Sequence, residues 1–91
     1  MKVLFFATLQ QAVGSSEVDV ELEPGATVRQ LLAALASDYP VLSGKVFDED
    51  GNLQHSLNVL LNGRHIRYLD GLDSNVSEDD RIALFPSVGG G

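Results

Sequence analysis

The chain has 91 residues, 44% of them hydrophobic and 21% charged, the composition of one ordinary folded domain and not of a disordered chain. Thirteen Asp and Glu against six Lys and Arg leave a net charge of −7 with no cluster of basic side chains, which excludes nucleic acid as a partner. The absence of cysteine excludes disulfides, thiolate metal sites and thiol nucleophiles.

A domain of this size buries only about 60–65% of its unfolded surface. A deep pocket through so small a core is costly, which favours a module that works against a partner over a self-sufficient enzyme. The acidic surface suits electrostatic steering onto a basic partner, and equally a charge that only keeps the protein soluble. The first ten residues lack the length and cleavage pattern of a signal peptide, and no apolar run approaches the roughly 18 residues of a membrane span. A cytoplasmic protein without membrane contact is the expectation.

In chain order, residues 2–8 are nearly continuously apolar and read as a strand buried on both faces. Gly14-Ser15-Ser16 marks a turn. Residues 17–22 alternate charged and apolar, so they read as a half-buried strand with Val18, Val20 and Leu22 inward, paired with the first run as a hairpin. Pro24-Gly25 breaks that strand. Thr27-Val28-Arg29-Gln30 fits a capping box, in which Thr and Gln each satisfy an orphan backbone donor. Val28, Leu31, Leu32 and Leu35 follow at i, i+3, i+4 and i+7, one face of a helix that Pro40 ends at or before Tyr39.

Residues 41–46 are irregular, with room for one helical turn, and Asp48 to Asn52 form an acidic turn. Residues 57–62 alternate again, with Leu57, Val59 and Leu61 on one side. Asn62-Gly63 is a two-residue hairpin signal, with a short return strand over 64–68. Residues 70–80 are loop, with Val76 as a plug into the core. Residues 81–85 form the last strand, stopped by Pro86. Strands at both chain ends with one helix between them predict an α+β fold: a mixed sheet carrying its main helix on one face.

The chain ends in Gly89-Gly90-Gly91. Glycine costs more backbone entropy to order than any other residue, so this end does not serve stability. It places a carboxylate on a thin thread that fits a narrow channel, which suits chemistry on that carboxylate in another protein's active site; the residues alone fit an ordinary frayed terminus as well.

The strand-strand-helix-strand order, the opening Val3-Leu4-Phe5-Phe6-Ala7 and the closing Ala83-Leu84-Phe85-Pro86-Ser87-Val88-Gly89-Gly90-Gly91 resemble the ubiquitin-like sulfur carriers of the β-grasp fold. The nearest type is the MoaD-like small subunit of molybdopterin synthase. The stretches Val46 to Gly51 and Leu57 to Arg67 resemble the longer archaeal-type branch, which includes small archaeal ubiquitin-like modifiers and is similar to a carrier of bacterial cysteine synthesis. The resemblance covers the whole chain and implies a β-grasp domain over 1–86 with a flexible tail over 87–91. It implies that a ubiquitin-activating-type enzyme adenylates Gly91 with ATP, and that a persulfide converts Gly91, preceded by Gly90, to a thiocarboxylate. That sulfur would pass to a pterin precursor in the large synthase subunit. The alternatives are conjugation of Gly91 to target lysines, carriage of sulfur for cysteine synthesis or tRNA thiolation, and a plain interaction domain with an inert tail. ATP and the sulfur donor belong to the partner, and this chain is expected to bind no cofactor or metal. The family often has a second proline where this chain has Ser87, so the base of the tail is expected to be less stiff.

Counting by twos places Val3, Phe5, Ala7, Ile82 and Leu84 toward the helix. Leu4, Phe6, Leu60, Ala83 and Phe85 then point to the other sheet face, as an apolar patch for partner docking continued by Pro86, Val88 and Gly89 of the tail. The remaining motifs fail. The run from Asp48 puts Leu53 and Val59 where a calcium loop needs Gly and Glu. His55 and His65 lack helical ligand spacing and read as surface histidines. Ser15, Ser16 and Ser87 have no G-x-S-x-G setting, and the glycine tail precedes no helix that would make it a phosphate loop. Asn75-Val76-Ser77 fits a glycosylation acceptor without a secretory context.

Overall fold

The computed structural model describes residues 1–87. Its five strands are β1 (Lys2–Phe5), β2 (Glu17–Asp19), β3 (Leu57–Leu61), β4 (Arg64–His65) and β5 (Arg81–Pro86). They form one mixed sheet in the order β2-β1-β5-β3-β4. The first and last strands are parallel neighbours at the centre, and the other pairings are antiparallel. Two helices complete the fold, α1 (Ala7–Val13) and α2 (Val28–Asp38). A mixed sheet with its main helix gripped on one face, and its first and last strands side by side, is the β-grasp, ubiquitin-like arrangement.

The capping box forms as expected. The Gln30 amide donates to Thr27 Oγ1 at 3.3 Å, and the Thr27 amide donates to Gln30 Oε1 at 2.9 Å. Val28, Leu31, Leu32 and Leu35 of α2 are all completely buried. They meet Val3 and Phe5 of β1, Val59 of β3 and Ile82 and Leu84 of β5 in a single core. Each such side chain contributes about 1.5–3 kcal/mol of transfer free energy. Val76 is buried as the expected plug, its amide donating to Ala26 O at 2.9 Å. The Asn62-Gly63 turn has both residues at positive φ, 52° and 85°, the left-handed pair that a two-residue hairpin requires.

Three strands are shorter than the sequence predicts, each for a local reason. β1 stops at Phe5 and is buried on one face only, with Leu4 half-buried and Lys2 exposed. The Phe6 amide still donates to Leu84 O at 3.1 Å, but Ala7 takes φ 53° and turns the chain into α1. Ala7 is therefore exposed and does not point toward α2 with Val3 and Phe5. Gly14, read from sequence as a loop turn, is the left-handed C-cap of α1, its amide donating to Gln10 O. The first two strands pair antiparallel, but with this helix inserted between them. β2 runs to Asp19 and its pairing goes one step further, Val20 exchanging backbone bonds with Met1 at 2.9 and 3.0 Å. Beyond it the Leu22 amide donates to the Glu78 carboxylate at 3.3 Å instead. β4 ends at His65, since residues 66–68 wind into a 3-10 turn that buries Ile66.

Candidate functional site

Alternation along three neighbouring strands builds the sheet face opposite the core. Leu4 of β1 lies beside Ala83 of β5, and Ala83 lies beside Leu60 of β3. Residues paired across strands share a face. His65 of β4 extends this row beyond Leu60, and Glu17 of β2 ends it at the other side. The next row is Phe85 of β5 beside Asn58 of β3. Phe6 packs edge-on against Phe85, with ring centroids 6.4 Å apart and planes at 84°.

None of Leu4, Phe6, Leu60, Ala83 or Phe85 belongs to the buried core. Phe6 is 46% exposed and the other four are half-buried. Among the described residues no second core covers them. Pro86 is half-buried at the end of β5. The structure thus brings Leu4, Phe6, Leu60, Ala83 and Phe85 together on one face, whereas Pro86 lies beside Leu57 on the core side at the end of β5. Val88, Gly89, Gly90 and Gly91 lie outside the described residues.

The two ends of this face differ in chemistry. At one end Lys2 lies beside Arg81, and the Lys2 ammonium pairs with Glu17 at 3.8 Å. At the other end β5 runs into Ser87. Its amide donates to Ser56 O at 2.8 Å. Its hydroxyl donates to His55 O at 3.3 Å and accepts from the Asn58 side-chain amide at 3.1 Å. The base of the tail is therefore held, not loosened by the missing second proline. A groove of about 320 Å³, open to solvent, runs beside it between His55, Asn58 and His65.

His65, which the sequence reads only as a surface histidine, and Asn58, which it does not single out, also lie on this face. Period-two counting from Leu60 through the Asn62-Gly63 turn places His65 on the docking side, so that signal was available. Asn58 sits on the same side of β3 as Leu60 and escapes notice because it is polar. The His65 Nδ1 accepts from the Arg67 amide at 3.1 Å. Burial, and then the neighbouring Arg67 charge, holds the imidazole pKa below its ordinary value and favours the neutral ring. The Asp48 carboxylate accepts from the amides of Asp50 and Asn52, both at 2.9 Å, so it closes its own turn. Among the described residues no group of three His, Cys, Asp or Glu is placed to hold a metal ion, and no helix is long and apolar enough to cross a membrane.

Known proteins share this arrangement. The family model described as "ThiS family" matches residues 3–91. The chain is 35% identical to small archaeal modifier protein 3 of Haloferax volcanii, over all of this chain and 98% of that protein. The crystal structure of SAMP1 from Haloferax volcanii superimposes with a TM-score of 0.88 at 38% identity, covering 100% of this chain and 98% of that one. Sulfur carrier protein CysO of Mycobacterium tuberculosis is 26% identical over 69 residues, 74% of each chain. With a family model spanning nearly its whole length, the chain belongs to the ThiS family of ubiquitin-like sulfur carriers and modifiers.

Proposed function

We propose that this protein carries sulfur as a thiocarboxylate on Gly91, activated by a ubiquitin-activating-type adenylating enzyme. The observation that supports it most is the uncovered apolar face whose last strand leads directly into the glycine tail. Such a face docks a partner and aims the tail at the partner's active site. The Gly91 carboxylate attacks the α-phosphorus of ATP, releasing pyrophosphate and forming an acyl-adenylate. A partner persulfide then attacks the acyl carbon and expels AMP. A second thiolate cleaves the resulting S–S bond, leaving the thiocarboxylate on Gly91 and a disulfide on the partner. This chain supplies Gly91 and Gly90 as the reacting end. Leu4, Phe6, Leu60, Ala83, Phe85, Pro86, Val88 and Gly89 are its docking surface.

The proposed acceptor is a pterin precursor bound by the large subunit of molybdopterin synthase. This rests on the MoaD-like ending Phe85-Pro86-Ser87-Val88-Gly89-Gly90. The use of ATP by the proposed partner fits a reaction in the cytoplasm. Similarity to small archaeal modifier protein 3 favours a second use of the same activated end, in which Gly91 acylates lysines of target proteins.

Intact mass spectrometry of the chain coexpressed with its host's activating enzyme tests the carrier reading. The expected result is a mass gain of one sulfur for one oxygen, localised to Gly91. An unmodified mass beside an active enzyme rejects sulfur carriage. A ladder of high-mass conjugates that is lost on deletion of Gly90 and Gly91 supports the modifier use.

A further inference from the structure

We infer that Ser87 is a positioning residue: its hydrogen bonds to the segment 55–58 fix where the reactive tail leaves the domain and how far it reaches. The inference rests on the carrier reading above and adds to it the part of this chain that sets the geometry of presentation.

Three bonds converge on one residue just past the end of β5. The Ser87 amide is held by Ser56 O, and its hydroxyl bridges His55 O and the Asn58 side chain. The backbone bond prolongs the β3–β5 ladder by one step beyond Leu57 and Pro86. The hydroxyl bonds add contacts that no apolar side chain or proline at this position can make. A proline would also remove the amide donor. Asn58 is itself fixed in the ladder opposite Phe85, so the clamp ties the tail root to the apolar face.

The sequence leaves four residues, 88–91, beyond Ser87. An extended chain spans at most about 3.3–3.6 Å per residue, so four residues reach at most roughly 14 Å. A docked partner must hold its reacting phosphorus inside that radius. With the root fixed, the tail enters a channel from one origin. With the root free, the same tail searches a wider volume and reaches the productive position less often. A small misplacement of a reacting group costs rate steeply.

The test is ATP–pyrophosphate exchange by the activating enzyme, measured against concentration of this chain. Compared are the unaltered chain, Ser87→Ala, Ser87→Thr, Asn58→Ala, and each of the first two with one glycine inserted after Ser87. The expected result is a roughly tenfold fall in kcat/KM for Ser87→Ala at an almost unchanged melting temperature. Ser87→Thr, which keeps a hydroxyl, recovers most of the activity. Asn58→Ala, which removes the same bond from its other side, falls in the same direction and serves if Ser87→Ala does not fold. The inserted glycine costs more in the unaltered chain than in Ser87→Ala, because only a fixed root makes length matter. Equal kcat/KM for Ser87→Ala and the unaltered chain overturns the positioning role and leaves the carrier reading intact, as does an insertion penalty that is the same with and without the hydroxyl. No exchange with the unaltered chain overturns the carrier reading and the positioning role together.

Discussion

The two faces of the sheet are built from alternate residues of the same strands, and only one of them is covered by the described chain. On β5, Ile82 and Leu84 are completely buried under α2, while Ala83 and Phe85 between them stay half-exposed. The strand's alternation alone separates a residue that holds the fold from one left half-exposed. The inner face has a matched helix, capped and apolar on one side, whereas the outer face has no counterpart within the described chain. Apolar surface left in water beside a complete core fits the docking role proposed above.

Leu84→Ala is expected to show the contrast most strongly. It removes a buried side chain and leaves a cavity, with an expected loss of about 2–5 kcal/mol in urea denaturation. A loss below about 1 kcal/mol would mean that the inner face is not the sole core. Thr27→Ala breaks the inner layer at a distance from the outer one. It removes the side-chain half of the capping box and is expected to cost about 1 kcal/mol while activation of the tail continues unchanged. A fall in activation at unchanged stability would show that α2 contributes to docking.

Ala7→Gly sharpens the comparison at the junction of the layers. Ala7 holds φ 53°, where a Cβ is strained, at the point where the chain leaves β1 and Phe6 is turned outward. Glycine there is expected to stabilise by about 0.5–1 kcal/mol in the same denaturation experiment.

The smallest expected effect lies at the sheet's end, between the β3–β4 turn and the start of β5. Asp80 accepts from the Asn62 side chain at 2.9 Å and from the Ser77 amide at 2.8 Å. The Asn62 bond is the main cause that holds the Asp80 carboxyl below its ordinary 3.8, with Ser77 assisting and partial burial opposing. A depressed carboxylate stabilises the fold fully above its unfolded pKa, and the benefit is lost as pH falls through the folded value. Melting temperatures of the natural chain should therefore fall more steeply below about pH 4 than those of Asp80→Asn. Parallel curves would remove Asp80 from the account.

The inner face was legible in the sequence because every part of it follows one rule. Val28, Leu31, Leu32 and Leu35 announce a helix face, and Leu57, Val59 and Leu61 a strand face. The outer residues Leu4, Phe6, Leu60, Ala83 and Phe85 followed by subtraction. The helix α1 did not announce itself. It has seven residues, one fully buried, and an N-cap at Phe6 without a side-chain bond, too little for a 3.6-residue period to show. The turn out of β1 depends on an alanine in a left-handed conformation, which residue type does not advertise. The firm hold on Ser87 was invisible because its partners, His55, Ser56 and Asn58, are about thirty residues away. Proline stiffness can be read locally, whereas a long-range hydrogen bond cannot.

Phe85→Asp tests the central claim, that the outer face serves a partner and not the fold. The measurement is kcat/KM for ATP–pyrophosphate exchange by the activating enzyme, taken on protein whose folding is checked by thermal melting. The account predicts a fall of about thirtyfold or more, with the melting temperature moving by no more than about 8 °C. An unfolded variant, or a folded one that is activated as well as the natural chain, would contradict it.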